Sequence, residues 1–183
     1  MIALIKRTVL ILTLIVAFTS CNQGPTLQTY YVDNELKPGF TTLDVPASFV
    51  DIDQTTLTEE QKEAYNSVDK LNMLAFVLDQ NNEEQYKVEL AKVKTILKDP
   101  KYQELMRGGN STDGKFQIKY IGGENDDEID ELVIFGSANE RGFALIRILG
   151  DNMNPSKLMK LSSVIQNADF KTSDANQFLD FFK

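Results

Sequence analysis

The chain has 183 residues, with 27 acidic against 19 basic side chains, a formal net charge of −8 at pH 7 and an apolar share of 42%. So acidic a chain is poorly matched to nucleic acid or anionic lipid, whose binding depends on basic patches, while its apolar share is ample for a folded core. It has no histidine, no tryptophan and a single cysteine, which excludes histidine-based triads, histidine metal sites and an intrachain disulfide, and removes tryptophan platforms for sugars.

Residues 1–20 read as a signal peptide. Lys6 and Arg7 form a positive start, and Thr8 to Phe18 (TVLILTLIVAF) form an apolar core of eleven residues, well short of the ~20 needed to span a bilayer as a helix. Small residues follow (Thr19, Ser20), then Cys21. This junction resembles the lipobox of bacterial lipoproteins, in which the cysteine sulfur receives a diacylglycerol and the new amino terminus is acylated. Phe18 departs from the aliphatic residue usual there. Two or more acyl chains give stable anchoring where one is marginal. The resemblance implies lipidation at Cys21, a membrane partner through the lipid, and no thiol left for metal or catalysis. Residues 21–26 then form a short polar tether, with no acid before Asp33. By analogy with sorting rules, this points to the periplasmic leaflet of the outer membrane. Without Lys6 and Arg7 the mature chain carries 17 basic against 27 acidic residues, a net charge of −10.

Residues 27–183 read as a single α+β domain. Leu27 to Leu36 is either a short helix or an extended lead-in, with Leu27, Tyr30 and Tyr31 on one helical face. Lys37-Pro38-Gly39 breaks it. Phe40 to Val45 is a strand ending at Pro46, at an edge or a terminus. Thr58-Glu59-Glu60-Gln61 is a capping box, opening a helix whose apolar stripe is Ala64, Tyr65, Val68 and Leu71. Asn72 to Leu78 reads as a buried strand. Asn82 caps a second helix to about Lys98, with Tyr86, Leu90, Val93 and Leu97 inward. Asp99-Pro100 restarts a helix, with Tyr102, Leu105 and Met106 inward and Gly108-Gly109 stopping it.

Asn110 to Gly114 is a loop. Three strands follow as an antiparallel meander: one with Phe116, Ile118 and Tyr120 on its buried face, then Leu132 to Phe135, then Phe143 to Leu149 with Arg147 as the exception. Asn154-Pro155 opens a last long helix with Leu158, Leu161 and Ile165 inward. Ser173 to Phe182 reads as a short Phe-rich helix, expected to dock against the body. The expected fold is therefore a mainly antiparallel sheet of about five strands with helices mostly on one face. Strands apolar on both faces need a second cover, which the segment around Tyr30 and Tyr31, or the tail, is placed to supply.

With these segments in view, the chain resembles a family of small Bacteroidetes lipoproteins defined by domain of unknown function 4252. The likeness lies in the order of the lipobox, Leu43 to Ser48 (LDVPAS), the Leu71-to-Phe76 strand, Lys101 to Arg107 (KYQELMR, read as a helix end), Glu131 to Phe135 (ELVIF), Gly142 to Gly150 (GFALIRILG) and the helix after Asn154-Pro155. It covers roughly Phe40 to Gln166. The resemblance implies the fold, and it brings no catalytic, cofactor or metal residues.

Few residues invite chemistry. Glu124 to Glu131 (ENDDEIDE) holds six acids in eight positions, a composition that suits Ca²⁺ but lacks EF-hand spacing; a solvated hairpin loop is the simpler reading. Asp51 with Asp53, or Asp79 with Glu83, would have to face each other across a cleft to cleave a glycoside, which sequence neighbours do not do. Arg141 and Arg147 suggest an anion site, but Arg147 inside an apolar strand more simply pairs with an acid of a neighbouring strand. Gly108-Gly109 and Gly122-Gly123 lack phosphate-loop spacing. Two classes of function remain: a non-enzymatic tethered module acting through an envelope protein partner, and a small-molecule or glycan-fragment binder or carboxylate-based hydrolase. An exposed edge strand or apolar groove would favour the first; a deep pocket with convergent polar groups would favour the second.

Overall fold

Local signals start most elements where the chain pattern places them. The computed structural model describes residues 24–110, 112–123, 125, 127–165 and 169–170; Met1 to Gln23, with the signal and Cys21, and the Phe-rich segment Ser173 to Phe182 lie outside them. Thr26 caps helix α1 (Leu27–Asn34), exchanging bonds with Thr29 in a capping box, and Leu27, Tyr30, Tyr31 and Asn34 are buried. Strand β1 (Phe40–Pro46) follows, then two short 3₁₀ turns around strand β2 (Val50–Asp51). The Thr58/Gln61 capping box opens helix α2 (Glu59–Asn66), with Glu59 and Glu60 in its first turn where the dipole favours them.

Helix α2 ends earlier than its apolar stripe suggests. Val68 and Leu71 belong to strand β3 (Val68–Val77), because Ser67 closes the helix and its carbonyl accepts from Asp151 of the partner strand's end. Helix α3 (Glu83–Ile96) buries Val93 and Ile96. Asn82 stands at its start without capping it: the side-chain amide is spent on the preceding turn, accepting from the Asp79 N–H and donating to the Val77 carbonyl, both at 2.9 Å.

The expected helix after Pro100 is instead strand β4 (Gln103–Asn110). Asp99 and Pro100 sit at the first two positions of a tight turn closed by the Tyr102 N–H on the Asp99 carbonyl at 3.0 Å, which is where Asp and Pro are favoured. Tyr102 is buried as expected, but Leu105 and Met106 are exposed rather than inward. Strands β5 (Gly114–Gly122), β6 (Ile129–Ala138) and β7 (Gly142–Met153) then form the expected meander, before helix α4 (Pro155–Ile165) and strand β8 (Asp169–Phe170). Gly142 has φ +115, and a Cβ there would run into the Phe76 carbonyl oxygen, so the β6–β7 turn needs glycine.

Among the described residues the main sheet has six strands, in the order β1-β3-β7-β6-β5-β4, and β2 pairs separately with β8. Every pairing is antiparallel, so the α+β class stands, and β4 makes six strands of the expected five or so. Alternate residues of the central strands feed two cores. Met73, Ala75 and Ala144 join Ala64 of α2 and Leu158 and Leu161 of α4 on one face. Leu74, Phe76, Phe143 and Leu145 join Leu27, Tyr30 and Tyr31 of α1 and Val93 and Ile96 of α3 on the other. The expected one-face placement thus describes α2 and α4, while the leading segment and α3 supply the second cover. That second face is aromatic: the Phe76 and Phe143 rings stack at 5.7 Å, and Phe40 meets Phe76 edge-on at 5.0 Å.

Candidate functional site

Arg147 is the one charge in the apolar Phe143–Leu149 stretch of β7, and it lies 5% exposed on the α1-covered face. Its Nε donates to Glu131 Oε1 at 2.7 Å and its Nη2 to Glu131 Oε2 at 3.1 Å, a bidentate pair with the neighbouring strand. Nη1 donates to Gln28 of α1 at 2.6 Å and, at 3.4 Å, to Asn72 of β3. The pairing expected of Arg147 is present, and the last member of the acidic run is its partner. Four of its five N–H donors are engaged within the fold, so the buried guanidinium is a clamp between three strands and α1.

The same clamp holds α1 by further bonds. The Leu27 N–H donates to the Tyr102 hydroxyl at 3.4 Å, and the Tyr30 hydroxyl donates to Glu89 of α3 at 2.9 Å. Burial, then the Glu89 hydrogen bond and charge, push the Tyr30 phenol far above its ordinary range. Tyr31 is pushed up to about 12, by burial first and the Asp44 charge second, with a Thr42 hydrogen bond opposing. Both phenols are neutral at physiological pH.

The other sequence candidates separate. In the acidic stretch, the Glu128 N–H donates to the Asn125 carbonyl and the Gly123 N–H to the Glu128 carbonyl, a self-bonded loop between β5 and β6. Among the described residues no group of three or more acids converges as a metal site would require. Asp53 accepts from Thr55 and caps a 3₁₀ turn, whereas the side chain of Asp51 lies outside those described. Asp79 caps the turn before α3, accepting from the Asn81 N–H at 2.6 Å. Asp53, Asp79 and Glu83 line neither the cleft between α1 and α3 nor the one at the β4–β5 and β6–β7 tips. Gly109 and Gly114 flank the β4–β5 turn at φ +100 and +153.

Among the described residues, shallow clefts open to solvent at two places. One, of about 670 Å³, runs between α1 and α3 and is lined by Pro25, Tyr30, Asp33, Val88, Lys92 and Ile96. The other, of about 620 Å³, lies at the β4–β5 and β6–β7 tips and contains Arg141. Lys115 shares that cleft with it, but so do Asp113 and Glu140, so the local charge is balanced.

The feature that sequence reasoning missed is the edge. Among the described residues nothing pairs with the outer side of β4. A register shift between Glu104 and Met106 marks a bulge at Leu105. Leu105, Met106 and the adjacent Phe116 are 41%, 44% and 39% exposed. Phe116, expected on the buried face of β5, lies over Gly108, where an added Cβ would come within 2.5 Å of its ring. Glycine thus lets the aromatic ring reach the rim of the sheet. Glu104 and Arg107 pair at 2.6 Å. An exposed edge with apolar side chains is the arrangement to which an added strand binds. The signal was present in the Gly108-Gly109 pair and in the alternating FQIKY partner strand.

Among the described residues no helix is long and apolar enough to cross a membrane. A family model described as domain of unknown function (DUF4252) matches residues 31–161, which takes in all six strands of the main sheet. No curated protein and no solved structure matches the chain.

Proposed function

The chain belongs to the family of domain of unknown function DUF4252, and on that premise we propose that it is a cell-envelope lipoprotein acting as a non-enzymatic interaction module. Cys21 carries the lipid and holds the folded body close to the periplasmic leaflet of the outer membrane, of the kind found in Bacteroidetes. The body acts by engaging a protein partner along β4. The observation that carries this reading is the open β4 edge with Leu105, Met106 and Phe116 exposed beside it. The shallow clefts, one charge-balanced and the other mostly apolar, support it over small-molecule chemistry.

Two variants test the two halves. Cys21→Ala is expected to move the protein from the membrane to the soluble envelope fraction on cell fractionation; retention in the membrane would refute the anchor. Met106→Lys places a charge on the edge and is expected to abolish envelope partners captured by the wild-type chain, with the melting temperature unchanged. Equal capture by both would refute the edge.

A further inference from the structure

We infer that the occupant of the β4 edge is a second copy of this chain, paired antiparallel so that Glu104 lies opposite Arg107 of the other copy; this rests on the reading of β4 as the contact edge. The register follows from parity. Gln103, Met106 and Gly108 pair with Tyr120, Ile118 and Phe116, whereas Glu104 and Arg107 pair with Lys119 and Gln117. Ile118 and Tyr120 belong to the core under α2 and α4, so Gln103, Met106 and Gly108 face that side and Glu104 and Arg107 face the other. In an unbroken strand, residues three apart point to opposite faces. The bulge at Leu105 brings Glu104 and Arg107 to the same face, as their 2.6 Å ion pair requires.

Antiparallel neighbours in one sheet are related by a two-fold axis perpendicular to it, which keeps each face continuous across the seam. Directly opposite residues must then share a face. Setting Glu104 opposite Arg107 satisfies this, and the same register sets Gln103 opposite Gly108. It also sets Leu105 opposite Met106, so the two exposed apolar residues of the edge cover each other. One register therefore gives two ion pairs, two apolar pairs and matched bulges, and shifting it by two positions brings like charges closer together or loses the apolar pairs.

The same symmetry suits a tethered chain. The amino end of α1 is bonded to Tyr102, one residue before β4 begins, and α1 lies on one face in each copy. Both tethers then leave from the same face of the joined sheet, about 23 Å apart along the seam at ~3.3 Å per residue, and reach one bilayer together. Confinement to a membrane raises the effective concentration of an edge contact that is small by itself.

Site-specific disulfide trapping on the full chain in its own membranes tests the register. Glu104→Cys and Arg107→Cys copies, co-expressed with different tags and treated with a mild oxidant, are expected to cross-link to each other. Glu104→Cys copies are not expected to cross-link among themselves, and the wild-type chain serves as the background for Cys21. Charge exchange gives an independent arm. Glu104→Arg alone and Arg107→Glu alone are each expected to weaken self-association about tenfold. Mixing the two restores it, although each has lost its internal ion pair. Absence of the mixed cross-link, cross-linking without regard to position, or no rescue on mixing would overturn self-pairing. A partner protein captured by wild type and lost in Met106→Lys, without the mixed cross-link, would leave the edge reading standing and remove only the second copy.

Discussion

Arg147 shows what one buried charge does in this fold. Its partner Glu131 is 7% exposed, and no buried side-chain polar atom among the described residues lacks a hydrogen bond. Truncating one member of such a pair leaves the other charged and dry. Arg147→Ala is therefore expected to cost about 3–5 kcal/mol, read as a lowered midpoint in urea denaturation. The apolar double variant, Arg147→Met with Glu131→Leu, is expected to recover most of that loss, because both desolvation penalties disappear together. The need for a partner was legible in the sequence, since a charge in an otherwise apolar strand has to be neutralised. The choice of Glu131 was not. It ends a run of acids that look equivalent along the chain, and only the β6–β7 register turns this one inward, while Asp130 faces solvent from the same strand and Asp127 and Glu128 stay in the loop.

Elements started by local chemistry were readable from a few adjacent residues. The Thr58/Gln61 box is one case: both reciprocal bonds form within four residues, and Gln61 also reaches the Lys160 carbonyl of α4 at 3.2 Å. Thr58→Ala is expected to destabilise the protein by about 1 kcal/mol, measured by the same denaturation, with Thr58→Ser close to wild type. Elements settled by pairing were harder to read. Tyr102, Leu105 and Met106 have helical spacing, yet the segment is a strand because β5 offers it a ladder and the Asp99-Pro100 turn aims it there. Val68 and Leu71 continue the α2 stripe equally well by spacing, but β7 claims them through its own register. A 3.6-residue period and a two-residue period overlap over such short windows, and the ladder decides between them.

At the scale of the whole molecule, the two cores share one sheet, and α1 ties its own core to the segment that follows the tether. This predicts an alkaline weakness. Tyr31 titrates near 12 when folded and Tyr30 higher still, against about 10 for an exposed phenol. The folded state therefore holds its protons more tightly than the unfolded chain. The stability this contributes is complete below pH ~10 and is lost as pH rises through the folded values. The melting temperature is expected to fall steeply from pH ~10 upward. Tyr31→Phe should make that fall shallower, and an identical profile would show that Tyr31 ionisation is not part of it.

The sequence by itself determined the α+β class, the antiparallel meander, the capped start of α2 and the breaks at Lys37-Pro38-Gly39 and Asn154-Pro155. These depend on composition, alternation and bonds between near neighbours. Only the tertiary structure decided that α3 joins the leading segment on the second face, that Glu131 serves Arg147 and that β4 exists as an open edge. Each of these depends on which distant strand lies alongside, and the free energy of that choice is spread over a whole ladder rather than held in any local motif.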